Sequence, residues 1–147
     1  MPFLHPQMQV VLKKSNDLVP SYSLVETPLP IVRENYVKER KFWNLGGPKI
    51  SVVKDDEVLG PVGHIPIRIF HPNTEIRLPI LLYLHGGGFT SGDKSTIDCV
   101  DFCKSMAKRG YVAISMNYRL ANPVSFFWST SVQYEFILKA VADAKAA

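Results

Sequence analysis

The chain has 147 residues, 46% of them hydrophobic, and a formal charge of +4 at neutral pH, which is ordinary for one soluble globular domain. No stretch approaches the roughly 18 consecutive apolar residues of a membrane span, and Met1-Pro2-Phe3-Leu4-His5-Pro6 has neither a basic leader nor an apolar run, so no signal peptide is expected. The densest basic group, Lys38, Arg40 and Lys41, is interleaved with Glu34 and Glu39; it reads as a solvated helix face, and no nucleic-acid partner is expected.

In chain order, residues 1–26 carry the weakest pattern and read as a loosely held arm. Thr27-Pro28 predicts a helix start, with the Thr27 hydroxyl as N-cap. Val32, Tyr36, Arg40 and Trp43 follow at helical spacing, and Gly46-Gly47-Pro48 ends the helix. The period then becomes that of strands. Ile50 to Val53 is a short β-branched run before a charged tip, Lys54-Asp55-Asp56-Glu57, and Ile65, Ile67 and Ile69 alternate beyond the Gly60-Pro61-Val62-Gly63 turn signal. The two runs predict an antiparallel hairpin.

Pro79-Ile80-Leu81-Leu82-Tyr83-Leu84 is apolar without alternation, as in a strand buried on both faces. Val100, Cys103 and Ala107 mark a helix ending at Gly110, Tyr111 to Tyr118 is a second apolar strand, and Val132, Phe136 and Ala140 place a last helix from about Ser131. Cys99 and Cys103 lie four apart in an apolar pattern. Two reduced core thiols on one helix explain them better than a metal or redox pair, and a cytoplasmic protein is the default. Buried strands alternating with helices predict an α/β fold with parallel pairing.

The segment His85-Gly86-Gly87-Gly88-Phe89-Thr90-Ser91-Gly92 directly follows the apolar strand. Three successive glycines cost backbone entropy; they serve either a wide turn or backbone N–H groups turned toward a ligand. Phosphate-binding readings fail on register. Counted from Gly86, the sixth place of a dinucleotide fingerprint falls on Ser91, and a P-loop ending at Gly92 meets Asp93 where its lysine belongs. A strand running into His-Gly-Gly-Gly fits the loop that lends N–H donors to an oxyanion hole, where a developing negative charge is stabilised.

With Gly92, and with Asn117-Tyr118-Arg119-Leu120-Ala121 further on, this loop resembles the bacterial hormone-sensitive-lipase family of carboxylesterases, which have the α/β-hydrolase fold. The stretch Gly63 to Pro72 and the helix around Val32-Arg33-Glu34 also match, the latter as part of a cap. The likeness runs from about residue 28 to the end. It implies that the N–H groups of Gly86 and Gly87 are oxyanion donors, that Gly88 shapes the turn, and that His85 braces the loop without being the catalytic base. His5, His64 and His71 match no catalytic position of the family.

The serine of this family sits in Gly-x-Ser-x-Gly, followed by an acid and a histidine. No such pentapeptide occurs here, so the chain reads as the N-terminal half of the α/β-hydrolase sheet, with no catalytic triad member, and is expected to be inactive alone. Relatives continue Tyr-Arg-Leu-Ala with Pro-Glu, whereas this sequence has Asn122-Pro123; the glutamate that could hold Arg119 in relatives is replaced, which puts in doubt the packing expected near the site. The resulting expectation is an arm and cap-like helix over residues 1–47 and a partial core over 48–147. The function expected is that of a carboxylic-ester hydrolase acting on a small ester once completed by a C-terminal half, with no metal or organic cofactor. The alternative is a non-catalytic binding or regulatory protein of the same fold. In the family's sheet order the strand at Ile80–Leu84 would be left as an open edge, so self-association or chaperone binding is expected of the isolated chain.

Overall fold

The computed structural model of the chain describes residues 4–23, 26–61, 63–72 and 77–120. Two helices, α1 (Pro6–Leu18) and α2 (Leu29–Trp43), precede a hairpin of β1 (Val52–Gly60) and β2 (Gly63–His71). Then come β3 (Ile80–Leu84), α3 (Ile97–Lys108) and β4 (Val112–Met116). The sheet order is β1-β2-β4-β3, antiparallel except for the parallel pair β3 and β4. A helix between two parallel strands is the crossover unit that the alternating pattern predicted. The helix expected from Ser131 lies outside the described residues.

The N-terminal stretch departs from expectation. Residues 6–18 are helical, started by Pro6 in the first turn and by the His5 side chain, whose Nδ1 accepts from the Gln7 N–H at 3.3 Å. None of its residues is buried. At α2 the expected Thr27 cap is not used. The helix begins at Leu29 after Pro28, without a side-chain cap bond. Pro30 in its first turn has no N–H to satisfy, which reduces the need for one.

The charged run placed at the hairpin tip instead lies inside β1, and the strands turn beyond Gly60, which stands opposite Gly63. β1 is an edge strand, so its charges stay in water while its backbone pairs. Asp55 stands opposite Arg68 and is held by it in a two-pronged ion pair at 2.8 and 2.7 Å; Lys94 reaches the same carboxylate at 2.5 Å. The Arg68 guanidinium first, then the Lys94 ammonium, hold the Asp55 carboxyl well below the usual carboxylate range.

Both faces of the sheet carry a core. On one, Phe70 and its register partner Ala113 pack under Cys99, Cys103 and Ala107 of α3. Burying Phe70 completely contributes about 1.5–3 kcal/mol. The cysteines are free thiols buried in that layer, as expected. On the other face Ile65, Ile67, Met116 and Tyr118 cluster, with Phe89 and Leu120 against them.

The expectation that β3 is buried on both faces does not hold among the described residues. Leu81 and Tyr83 pack toward α3, while Ile80, Leu82 and Leu84 are exposed. An apolar run without alternation reports what a strand tolerates, not what covers it.

Candidate functional site

The loop after β3 is shaped by glycines in conformations other residues avoid. Gly87, Gly88 and Gly92 have φ of 125°, 60° and 90°. A Cβ on Gly87 would lie 2.0 Å from the Ser91 carbonyl oxygen, and one on Gly92 would lie 2.6 Å from His85 Nδ1, so space as well as φ demands glycine at both. Phe89 is the non-glycine residue of positive φ among those described, at 62°. That conformation costs on the order of 1–3 kcal/mol, and the packing of Phe89 on the Tyr118 cluster offsets it.

Three consecutive carbonyls of the loop are engaged from within. The Tyr118 hydroxyl donates to the His85 carbonyl. His85 Nδ1 lies 2.8 Å from the Gly86 carbonyl; a carbonyl only accepts, so Nδ1 carries the proton. The Gly87 carbonyl accepts from the N–H groups of Thr90 and Ser91, at 3.1 and 3.0 Å, and from the Thr90 hydroxyl at 3.1 Å.

Across a trans peptide the C=O and the next N–H point in opposite directions, and no peptide here is cis. Fixing the carbonyls of residues 85, 86 and 87 therefore fixes the N–H groups of Gly86, Gly87 and Gly88 on the opposite sides of those peptides. Among the described residues those three N–H groups donate to no protein acceptor. Unpaired N–H groups of this kind attract negative charge.

His85 is 5% exposed and its ring stacks on Tyr118 at 4.3 Å. Burial pushes its pKa down, against a smaller opposite effect of the Gly86 carbonyl, so the ring is neutral near pH 7. With Nδ1 protonated, Nε2 is the bare nitrogen; it is buried and has no hydrogen-bond partner among the described residues. Burial raises the Tyr118 phenol to about 12, which keeps its donating proton in place.

The sequence singled out His85 and Gly86 to Gly88, which are consecutive and lie in the loop that follows β3. Tyr118 and Arg33 were quoted there only as parts of motifs. Tyr118 proves to hold the His85 carbonyl, and Arg33 Nε donates to the Thr90 carbonyl at 2.8 Å. Their sequence signal was position alone, since partners 33 and 57 residues away leave no local period. His5, the helix-capping residue, and His64, which faces Glu57 on the exposed hairpin, are not at the loop.

Comparison with known proteins finds a family model, curated esterases and solved esterase structures. The BD-FAE family matches residues 67–133. The carboxylic ester hydrolase LipN of Mycobacterium tuberculosis is 39% identical over 77 residues, 51% of this chain and 20% of that protein. The esterase LipI of the same organism is 32% identical over 120 residues, 79% of this chain and 36% of that one. Among solved structures, a hyperthermophilic esterase from the archaeon Pyrobaculum calidifontis superposes with a TM-score of 0.69 at 30% identity, covering 99% of this chain and 45% of the esterase.

The fold is thus that of an α/β hydrolase, the described elements being consistent with its N-terminal half. Within that fold the matches support the hormone-sensitive-lipase-like carboxylic-ester hydrolases as the family, over a partial chain. The chain spans less than half the length of each of these relatives. Among the described residues no helix is long and apolar enough to cross a membrane.

Proposed function

We propose that this chain is the oxyanion-binding portion of a carboxylic-ester hydrolase. The N–H groups of Gly86 and Gly87 are its donors, Gly88 shapes the turn, and His85 braces the loop. The observation that carries this reading is the engagement of the carbonyls of His85, Gly86 and Gly87, which leaves the N–H groups of the same three peptides without a protein acceptor among the described residues. Such donors, fixed before the reaction, stabilise the charge that grows on an ester oxygen at the tetrahedral stage without having to reorganise.

His85 suits a brace better than a base, because its bare Nε2 is buried and its protonation is disfavoured. The substrate in this reading is a small ester, and no metal or organic cofactor is called on. Residues 1–47 act as a cap-like element and 48–147 as core. The buried unpaired thiols Cys99 and Cys103 suit the cytoplasm.

A serine on a Gly-x-Ser-x-Gly turn and its acid and histidine complete the chemistry in this family. The 147 residues contain no such pentapeptide. The purified 147-residue chain is therefore expected to take up no organophosphonate and to give no burst with p-nitrophenyl acetate. Supplied with the C-terminal portion of an esterase of the family, it is expected to gain both. Complete labelling of one serine in the chain alone would refute the division of labour. Failure of an assembled, folded protein to react would favour the non-catalytic reading.

A further inference from the structure

The turn from Gly87 to Ser91 has two kinds of support. From the sheet side, Tyr118 and the His85 ring hold the carbonyls of residues 85 and 86. From the other side, α2 reaches the loop at two points. The Tyr36 hydroxyl lies 3.6 Å from where a Cβ on Gly86 would stand, and Arg33 Nε donates to the Thr90 carbonyl at 2.8 Å.

Thr90 is also the residue whose N–H and hydroxyl hold the Gly87 carbonyl, and that peptide carries the Gly88 N–H. One side chain on α2 is thereby linked, through one residue, to the orientation of a loop N–H. The helix is itself tied to α3. Arg40 pairs with Asp98 at 3.7 Å, Asp101 accepts from the Leu45 N–H at 3.0 Å, and Lys104 donates to the Gly46 carbonyl at 2.9 Å.

We propose that Arg33 is a positioning residue that makes the orientation of the turn-shaping Gly87–Gly88 peptide, next to the Gly86 and Gly87 donors, depend on where α2 sits. The proposal rests on reading the loop as an oxyanion site and assigns α2 a part in setting it. A hydrogen bond weakens steeply once it lengthens or bends, so a small displacement of α2 releases Thr90 and loosens the Gly87–Gly88 peptide.

The test is amide hydrogen exchange and ¹⁵N NMR on the 147-residue chain, comparing Arg33→Met with the parent, and with Lys38→Met as a control on the same helix. Losing a charged donor to Thr90 should speed exchange of the Thr90 and Ser91 amides by about tenfold. It should also shift the Gly88 amide resonance. The amides of β4 should hold their rates, and Lys38→Met should leave the loop unchanged.

Parent-like loop exchange in Arg33→Met overturns the proposal, and so does acceleration spread equally over β4. Should Arg33→Met not fold, Arg33→Lys takes its place with the same criteria. The esterase reading is separated by assaying the chain supplied with the C-terminal portion of an esterase of the family. A loosened loop with an inert completed protein removes that reading and keeps the coupling. An unaltered loop in an active protein does the reverse.

Discussion

β3 and the loop that follows it both leave backbone groups unpaired, and they do so in opposite ways. Along the outer edge of β3 nothing pairs among the described residues, so N–H and C=O groups alternate there as they do on any strand edge. In the loop, the carbonyls of His85, Gly86 and Gly87 are all taken and only N–H groups remain. A mixed edge offers a place to another strand. A row of donors offers a place to negative charge and none to a strand. The carbonyl bonds alone make five residues of generic edge and three residues of directed donors out of one continuous segment.

The largest blow to this contrast should come from Gly87→Ala. A Cβ there meets the Ser91 carbonyl at 2.0 Å, at a φ of 125°. The strain alone costs on the order of 1–3 kcal/mol, so the loop should reorganise and release the Gly87 carbonyl. Urea unfolding should register the loss, and the Gly88 amide resonance should move. If edge and loop are independent, the distribution of oligomers on gel filtration stays as in the parent. Parent-like stability and resonances would show that the clamped geometry is not needed.

How much of this was legible in the sequence depends on whether the cause was local. Gly110 stops α3 by adopting a φ of 91°, with its N–H bonded to Ala107, and a glycine after an apolar period announces that. The triple glycine after an apolar strand announced the loop. Arg33 and Tyr118 could not be assigned roles, because each acts on a partner brought near only by the fold. The charged run of β1 was misplaced to a turn for a related reason: its pairing with β2, and Asp55 with Arg68 and Lys94, is a tertiary fact that overrides the turn-like composition. α1 went unread although its start is marked locally, by Pro6 in the first turn and the His5 side chain that caps it.

The clamp also has a pH dependence with a definite sign, of smaller effect than the glycine substitution. Burial lowers the His85 pKa in the folded chain, whereas the unfolded chain binds the proton at the ordinary value near 6.5. Below that value the unfolded state holds more protons, so acid favours it. Stability is fully present above about pH 6.5 and is lost as the pH falls toward and through the lowered folded value. Between pH 7.5 and 5.5 the parent should lose more urea resistance than His85→Asn, whose amide keeps a donor near the Nδ1 position but does not titrate. Equal losses in the two chains would mean that His85 is not the group responsible.

The smallest change in folding free energy is expected at the other region, from Leu82→Lys. Leu82 is 37% exposed, on the face of β3 turned away from α3, between Ile80 at 71% and Leu84 at 47%. Much of the side chain already meets water, and its replacement should cost no more than about 1 kcal/mol. Association is where the effect should appear. The opposite margin of the sheet, β1, carries Lys54, Asp55, Asp56 and Glu57 along its exposed length, the charge pattern by which edge strands discourage pairing with other chains. β3 has no charge at all between Ile80 and Leu84. A lysine placed there gives β3 the protection β1 already has. The 147-residue chain should run as dimers and larger species at tens of micromolar, and Leu82→Lys should shift it toward monomer while the Gly86–Gly88 amide resonances stay in place. If the parent is itself a sharply melting monomer at that concentration, the edge recruits nothing. If the lysine disperses the oligomers but also moves the loop resonances, strand and loop are one cooperative unit and the contrast between them fails.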